Sequence, residues 1–177
     1  VQVGVNYALI INNNAGLWGY NIGDTVKFVS IDPFRLVVTG RTKHFISAFG
    51  EHVIGEEVEA AMLLTAEKHN LRVTEFTVAP FVSSDAGKSY HEWFVEFEEF
   101  PPSLDSFTSD LDTALRNKNV YYDDLITGNI LSTLKITAVR KNGFIEYMKS
   151  IGKLGGQNKV PRLSNDRKIA DSMTQFA

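Results

Sequence analysis

The hydrophobic pattern of this chain first changes from a strand to a helical period across Gly40-Arg41-Thr42-Lys43-His44-Phe45-Ile46 and on to Gly50. Before that stretch the pattern is that of short strands. Tyr7-Ala8-Leu9-Ile10-Ile11 is a brief apolar run closed by the turn-rich Asn12-Asn13-Asn14-Ala15-Gly16. Thr25-Val26-Lys27-Phe28-Val29 alternates polar and apolar residues, Asp32-Pro33 marks a turn, and Leu36-Val37-Val38 reads as a third strand. After it, Ile54, Val58, Ala61, Met62 and Thr65 recur at helical spacing. The span from Ile54 to Asn70 lacks proline and opens with acidic residues suited to a helix N-terminus. One continuous element cannot carry both periods, so Gly40–Gly50 is a joint. Residues 1–40 make a strand meander too small to hold its own core, which is expected to belong to a larger body. Val1-Gln2-Val3-Gly4 has neither an initiator Met nor a signal pattern, and the chain is expected to start inside a longer protein.

Beyond the joint the order is helix, strand, strand, helix, strand, helix, with Phe45–Ala48 as a possible first strand. Thr74–Phe81 and Ser89–Phe97 are the two strands, and Trp93, Val95 and Phe97 share one face of the second. Pro101-Pro102 stops that strand; Ser103 can cap a helix with Leu104, Phe107, Leu111 and Leu115 along its buried stripe. A shorter helix is expected over Tyr121–Asn129, a strand over Leu134–Val139, and a helix over Gly143–Ile151 capped by Asn142. This order predicts an α+β fold, an antiparallel or mixed sheet with helices packed on one face, preceded by the β-meander. The expected division is 1–41 for the terminal strands of a large domain, 42–44 for a hinge, and 45–177 for an α+β lid domain. The Gly-rich, basic stretch from Gly152 to Asn165 reads as a mobile tail.

Composition narrows the function. The chain has 177 residues, 44% of them hydrophobic and 22% charged, which suits a globular domain. A net charge of −3 gives no bias toward nucleic acid or a membrane surface, and no apolar run approaches the roughly 20 residues of a spanning helix. Cysteine is absent, which excludes disulfides, thiolate zinc sites and a Cys nucleophile and fits a cytoplasmic protein. Between Asp85 and Asp124, ten acidic residues stand against Lys88, Arg116 and Lys118. Between Arg140 and Lys168, eight basic residues stand against Glu146 and Asp166, and this is the part of the chain that would attract anions.

Few residues suggest chemistry on their own. Asp24, in Gly19-Tyr20-Asn21-Ile22-Gly23-Asp24, stands in a turn before a strand. Its carboxylate could accept two hydroxyls of a ribose, or simply cap its own turn. Arg41 and Lys43 could hold phosphate or ribose oxygens, or be surface charges. Lys159, in Gly155-Gly156-Gln157-Asn158-Lys159-Val160-Pro161-Arg162, projects from a loop able to approach a ligand closely, or from a flexible basic tail. His44, His52, His69 and His91 lack metal-ligand spacing, with His69 read as a helix-end residue. Glu96, Glu98 and Glu99 read as solvated acids on a strand end.

Taken in order, the signals resemble something definite. Tyr20-Asn21-Ile22-Gly23-Asp24, then Gly40-Arg41-Thr42-Lys43 through Gly50 to Glu57-Val58-Glu59, then Asn158-Lys159-Val160-Pro161-Arg162 resemble the last three motifs of the acyl-adenylate-forming superfamily. More narrowly, the chain resembles the Gretchen Hagen auxin-responsive family of acyl acid–amido synthetases in its bacterial form. Asn13-Asn14-Ala15-Gly16-Leu17-Trp18-Gly19-Tyr20 with Ile22-Gly23-Asp24, and Gly40–Ile46 with Ala48-Phe49-Gly50-Glu51, carry that match. The resemblance implies a two-step reaction in which a carboxylic acid and ATP give acyl-AMP and pyrophosphate, and an amine, typically an amino acid, then forms an amide. It implies that Asp24 binds the ribose hydroxyls, with Arg41 and Tyr20 also at the nucleotide, that Thr42 and Lys43 form the hinge, and that Lys159 is the catalytic lysine. ATP, with Mg2+ in the full-length enzyme, is the implied co-substrate, and neither is held by this chain alone. The phosphate loop, acyl pocket and adenine-binding segment would lie in a missing N-terminal adenylating domain. Two positions depart from the pattern: Asn158 replaces the usual Gly before the lysine, and Gly19 stands where a basic residue is expected. An acyl-CoA-type ligase of the same superfamily and a non-catalytic α+β binding module are the competing readings.

Overall fold

The computed structural model describes residues 1–42, 45–83, 88–155 and 158–177. Strands β1 (Asn6–Ile11), β2 (Tyr20–Ile31) and β3 (Phe34–Arg41) form an antiparallel meander in that order. β2 starts five residues before the alternating pattern at Thr25 predicts it. Ala8 pairs with Thr25 but Ile10 pairs with Asn21, so three β2 residues oppose one on β1. Such a bulge disguises a strand from a two-residue reading. Asp24 therefore lies inside β2, not in a turn ahead of it. The meander buries Val26 and Thr39 but leaves Leu36, Val37 and Val38 exposed.

Past the joint, β4 (Phe45–Ile46) and β5 (Val53–Ile54) form a two-residue antiparallel pair. The strand expected at Phe45–Ala48 is thus short and separate from the main sheet. β5 leads into α1 (Gly55–Lys68), which buries Val58, Ala61, Met62 and Thr65, as its spacing predicts. The Glu57 carboxylate closes its first turn by accepting from the Ile54 N–H at 3.0 Å. His69 is the C-cap.

The main sheet has the order β6 (Val73–Phe81), β7 (Tyr90–Phe97), β8 (Lys135–Val139), antiparallel between β6 and β7 and parallel between β7 and β8. The crossover from β7 to β8 carries α2 (Leu104–Lys118) and α3 (Val120–Thr127). The Ser103 hydroxyl caps α2, and Phe107, Leu111 and Leu115 are fully buried. After β8 come α4 (Gly143–Ser150), α5 (Lys168–Met173) and a 3-10 turn at Thr174–Phe176. Trp93, Val95 and Phe97 point into one core with α1, α2 and α3, while Phe94 points into a second with Phe144, Tyr147 and Met173. Helices therefore cover both faces of the sheet, not one. β7 is central, has a parallel neighbour and is buried along most of its length, with Glu92 and Glu96 on its second face each held by a partner.

One helix is capped differently from expectation. Asn142 adopts a left-handed conformation and its side chain makes no cap bond. Instead Glu96, 3% exposed on β7, accepts from the Asn142 N–H at 2.8 Å and the Phe144 N–H at 3.3 Å. It is a buried cap for α4 rather than a solvated acid.

Candidate functional site

β2 and β3 pair in a register that sets Asp24 opposite Arg41, with the guanidinium Nε 3.4 Å from the carboxylate. Gly23 makes room for this. Its φ of +83 is left-handed, and a Cβ there would stand 3.2 Å from Arg41 Nη2. Arg41 Nη2 also donates to the Ile22 carbonyl at 3.3 Å. Thr42 carries the pairing one residue further, its N–H donating to the Gly23 carbonyl at 2.8 Å and its hydroxyl to the same oxygen at 3.3 Å. Thr42 is accordingly fixed to the first sheet. Lys43 and His44, the rest of the expected hinge, lie outside the described residues.

Lys159 comes from the far end of the chain and reaches the same place. The end of β3 at Gly40 and Arg41, the first turns of α1 at Gly55 and Glu59, and the segment from Lys159 to Leu163 line a cleft of about 490 Å³. Two cations singled out from sequence thus share one wall system, and Asp24 joins it through Arg41. Tyr20 does not line this cleft; it opens β2 opposite Ile11 and is half-exposed. A larger groove of about 540 Å³ runs between α1 and β6, meeting the cleft at Glu59 and Arg162. Met62, Leu63, Leu71 and Phe76 line it together with the charged Glu67, Arg72, Glu75 and Glu98, but neither Arg41 nor Lys159 reaches it, so the smaller cleft is the better candidate site.

The stretch following Lys159 is not the mobile tail its composition suggests. Val160 and Leu163 are buried. Val78 N–H donates to the Arg162 carbonyl and Ser164 N–H to the Val78 carbonyl, both at 2.9 Å, so the segment extends the β6 edge. Gly156 and Gln157 lie outside the described residues.

Sequence reasoning missed a buried network beside the joint. His91 Nε2 lies 2.9 Å from Glu51 Oε1, and both side chains are fully buried. Burial pushes the Glu51 carboxyl up, but hydrogen bonds from His91 and backbone N–H groups, including that of Phe49, outweigh it and hold the group below the ordinary carboxylate range. His91 stacks on Tyr122, whose hydroxyl donates to Asp112 at 2.7 Å. Neither residue has a spacing signal, since the partners meet only through the fold. Nearby, burial raises the Glu57 carboxyl against the opposing hydrogen bonds from Asn119 and Ile54. Its helix-start role rests on the hydrogen bond it accepts from the Ile54 N–H.

A carboxylate beside a guanidinium fork, with an ammonium in the same cleft, is a donor set suited to a diol and phosphate oxygens. The architecture itself is shared with the solved GH3.15 acyl acid amido synthetase, at a TM-score of 0.75 and 21% identity, covering 99% of this chain and 34% of that one. Residues 56–168 match the GH3 family C-terminal domain and residues 1–41 the GH3 family central domain. The chain belongs to the GH3 family, as its motifs indicate. It is 31% identical, over 93% of its length, to the jasmonoyl–L-amino acid synthetase GH3.5 of Oryza sativa subsp. japonica. It is 27% identical, over 97% of its length, to the probable indole-3-acetic acid-amido synthetase GH3.1 of Arabidopsis thaliana. The chain spans 29% and 31% of those two relatives. Among the described residues no helix is long and apolar enough to cross a membrane.

Proposed function

We propose that this chain forms the last strands of the large domain and the C-terminal lid of an ATP-dependent acyl acid–amido synthetase. The observation that carries this reading is the meeting of three motifs far apart in the chain: Asp24 paired with Arg41, and Arg41 in one cleft with Lys159. In this reading Asp24 accepts the ribose hydroxyls, Arg41 holds ribose or phosphate oxygens, and Tyr20 stands at the edge of the nucleotide. Lys159 bridges the carboxylate and α-phosphate oxygens as charge develops on them. Pyrophosphate leaves, the lid turns, and an amine attacks the acyl carbon of the acyl-AMP, releasing AMP. Mg2+ would arrive with the nucleotide, and the adenine and acyl pockets belong to the N-terminal domain. The division into 1–41, a 42–44 joint and 45–177 is supported by the change of matching family domain between residues 41 and 56. The Thr42–Gly23 hydrogen bonds favour a pivot just beyond Thr42. Use of ATP and the absence of cysteine fit a cytoplasmic enzyme.

The test uses the full-length protein that carries this chain. Pyrophosphate release should require both ATP and a carboxylic acid, and Lys159→Ala should reduce it on the order of 10²–10³-fold, the usual cost of losing one preorganised donor at developing charge. Normal release by that variant would remove Lys159 from the mechanism. Turnover of the acyl-AMP with an amino acid but not with coenzyme A separates amide from thioester synthesis.

A further inference from the structure

We infer that Arg162 is the positioning residue that fixes Lys159 in the wall of the cleft, an inference that rests on the ligase reading above. Its guanidinium is held from several sides at once. Nε donates to Glu59 on α1 at 3.1 Å, and Nη1 is ion-paired with Glu75 on β6. The guanidinium carbon lies 4.8 Å from the centre of the Phe76 ring, and Nη1 reaches the Phe76 carbonyl at 3.5 Å. The backbone around it is tied down as well. The Thr77 hydroxyl donates to the Pro161 carbonyl at 2.7 Å, and Val78 holds the Arg162 carbonyl and the Ser164 N–H.

Lys159 is separated from this clamp only by Val160, itself buried, and by Pro161. On its other side the chain is glycine-rich, with Gly152 and Gly155 both left-handed, at φ +67 and +91. Upstream, the described residues tie the segment by one exposed hydrogen bond, from the Asn158 side chain to the Gly155 carbonyl at 3.2 Å, whereas the downstream side is held at several points. A cation that acts on developing charge is useful only when held in place, since a displacement of about 1 Å can cost on the order of 10²-fold in rate. Holding two carboxylates on two different elements while stacking on a ring is a task for the planar fork of arginine; a lysine at 162 would reach one of them. The ion pairs are partly exposed, the Arg162 and Glu59 side chains at 35% and 57%, so their effect on global stability is small. Their effect on where Lys159 sits is large, because α1 lines the cleft and β6 carries the segment.

Two measurements test this. In the first, endoproteinase Lys-C digests the protein, and cleavage after Lys159 is compared with cleavage after Lys149 in α4 as an internal reference. Arg162→Gln should speed cleavage after Lys159 about tenfold with the reference unchanged, the signature of a local opening that has lost its anchor. No change, or a parallel rise at both sites, overturns the inference. In the second, the full-length protein is assayed for pyrophosphate release with indole-3-acetate, or with whichever member of a panel of aryl and alkyl carboxylates the unaltered protein uses best. Amide formation from the synthetic acyl adenylate of that acid is measured separately. Arg162→Gln should lower the kcat of the first step on the order of 10²-fold, with the ATP KM and the second step unchanged. Arg162→Lys should restore part of the loss. If Lys159→Ala collapses pyrophosphate release and Arg162→Gln does not, the positioning role fails alone. If Lys159→Ala is also normal, or no acid supports release, the ligase reading fails and takes this inference with it.

Discussion

His91 and Glu51 meet with no solvent on either side chain. Glu51 ends the joint motif and His91 sits in the middle of β7, so the pair ties the joint to the sheet. Removing one partner leaves the other buried and unmatched, which costs about 3–5 kcal/mol. Glu51→Ala and His91→Ala should each lower the unfolding free energy by that order, read as a shift of the urea midpoint at constant slope. The pair also gives a pH signature. The Glu51 carboxyl is held below its ordinary range, so its contribution is complete above the unfolded value of about 4.3. It is lost as pH falls through the folded value. Glu51→Gln should therefore flatten the fall in stability below about pH 4. From sequence, His91 shows only that it lacks metal-ligand spacing. Its partner is a residue forty positions away, and no local rule connects them.

At the scale of elements, two helix caps show what local reading can reach. The Ser103 cap and the Phe107–Leu111–Leu115 stripe of α2 follow from residues within one or two turns, and both are as expected. The cap of α4 comes from Glu96 on another strand, because the left-handed Asn142 turns its own side chain out of use. Glu96→Ala should uncouple α4 from β7 at a cost of about 2 kcal/mol, since it leaves the buried Phe144 N–H without an acceptor. Glu96→Gln, which keeps one acceptor oxygen, should cost less. Hydrogen exchange at Phe144–Met148, faster in the alanine variant than across α2, is the measurement that places the effect in this helix.

Across the whole molecule, the first sheet meets the α+β body at the start of α1. The Lys27 ammonium pairs with Glu56 at the start of α1, and the end of β3 runs close to the same turn. Both side chains are partly exposed, so the pair is worth under about 1 kcal/mol to folding. Glu56→Lys should accordingly leave the urea midpoint nearly unchanged and, if the two bodies turn about the joint as proposed, alter the radius of gyration in small-angle scattering. A loss of several kcal/mol in that variant would mean that the two bodies fold as one rigid unit. A weak attachment is what the proposed ligase reading requires, since a lid must leave one arrangement to reach another.

The joint, the helix after it, the α2 cap and the motif order could all be read from the residues themselves, because each depends on neighbours a few positions away. The α+β class followed from the same local periods. The bulge that draws Asp24 into β2 opposite Arg41 was decided by strand register, which local alternation cannot see. The doubly covered β7, the Glu51–His91 pair and the cap from Glu96 were decided by how distant segments pack. So was the cleft that brings Arg41 and Lys159 together, and the clamp at Arg162 beside it. Local preference depends on a residue and its turn of chain, whereas a contact between remote segments exists only once the hydrophobic core has chosen which faces are buried.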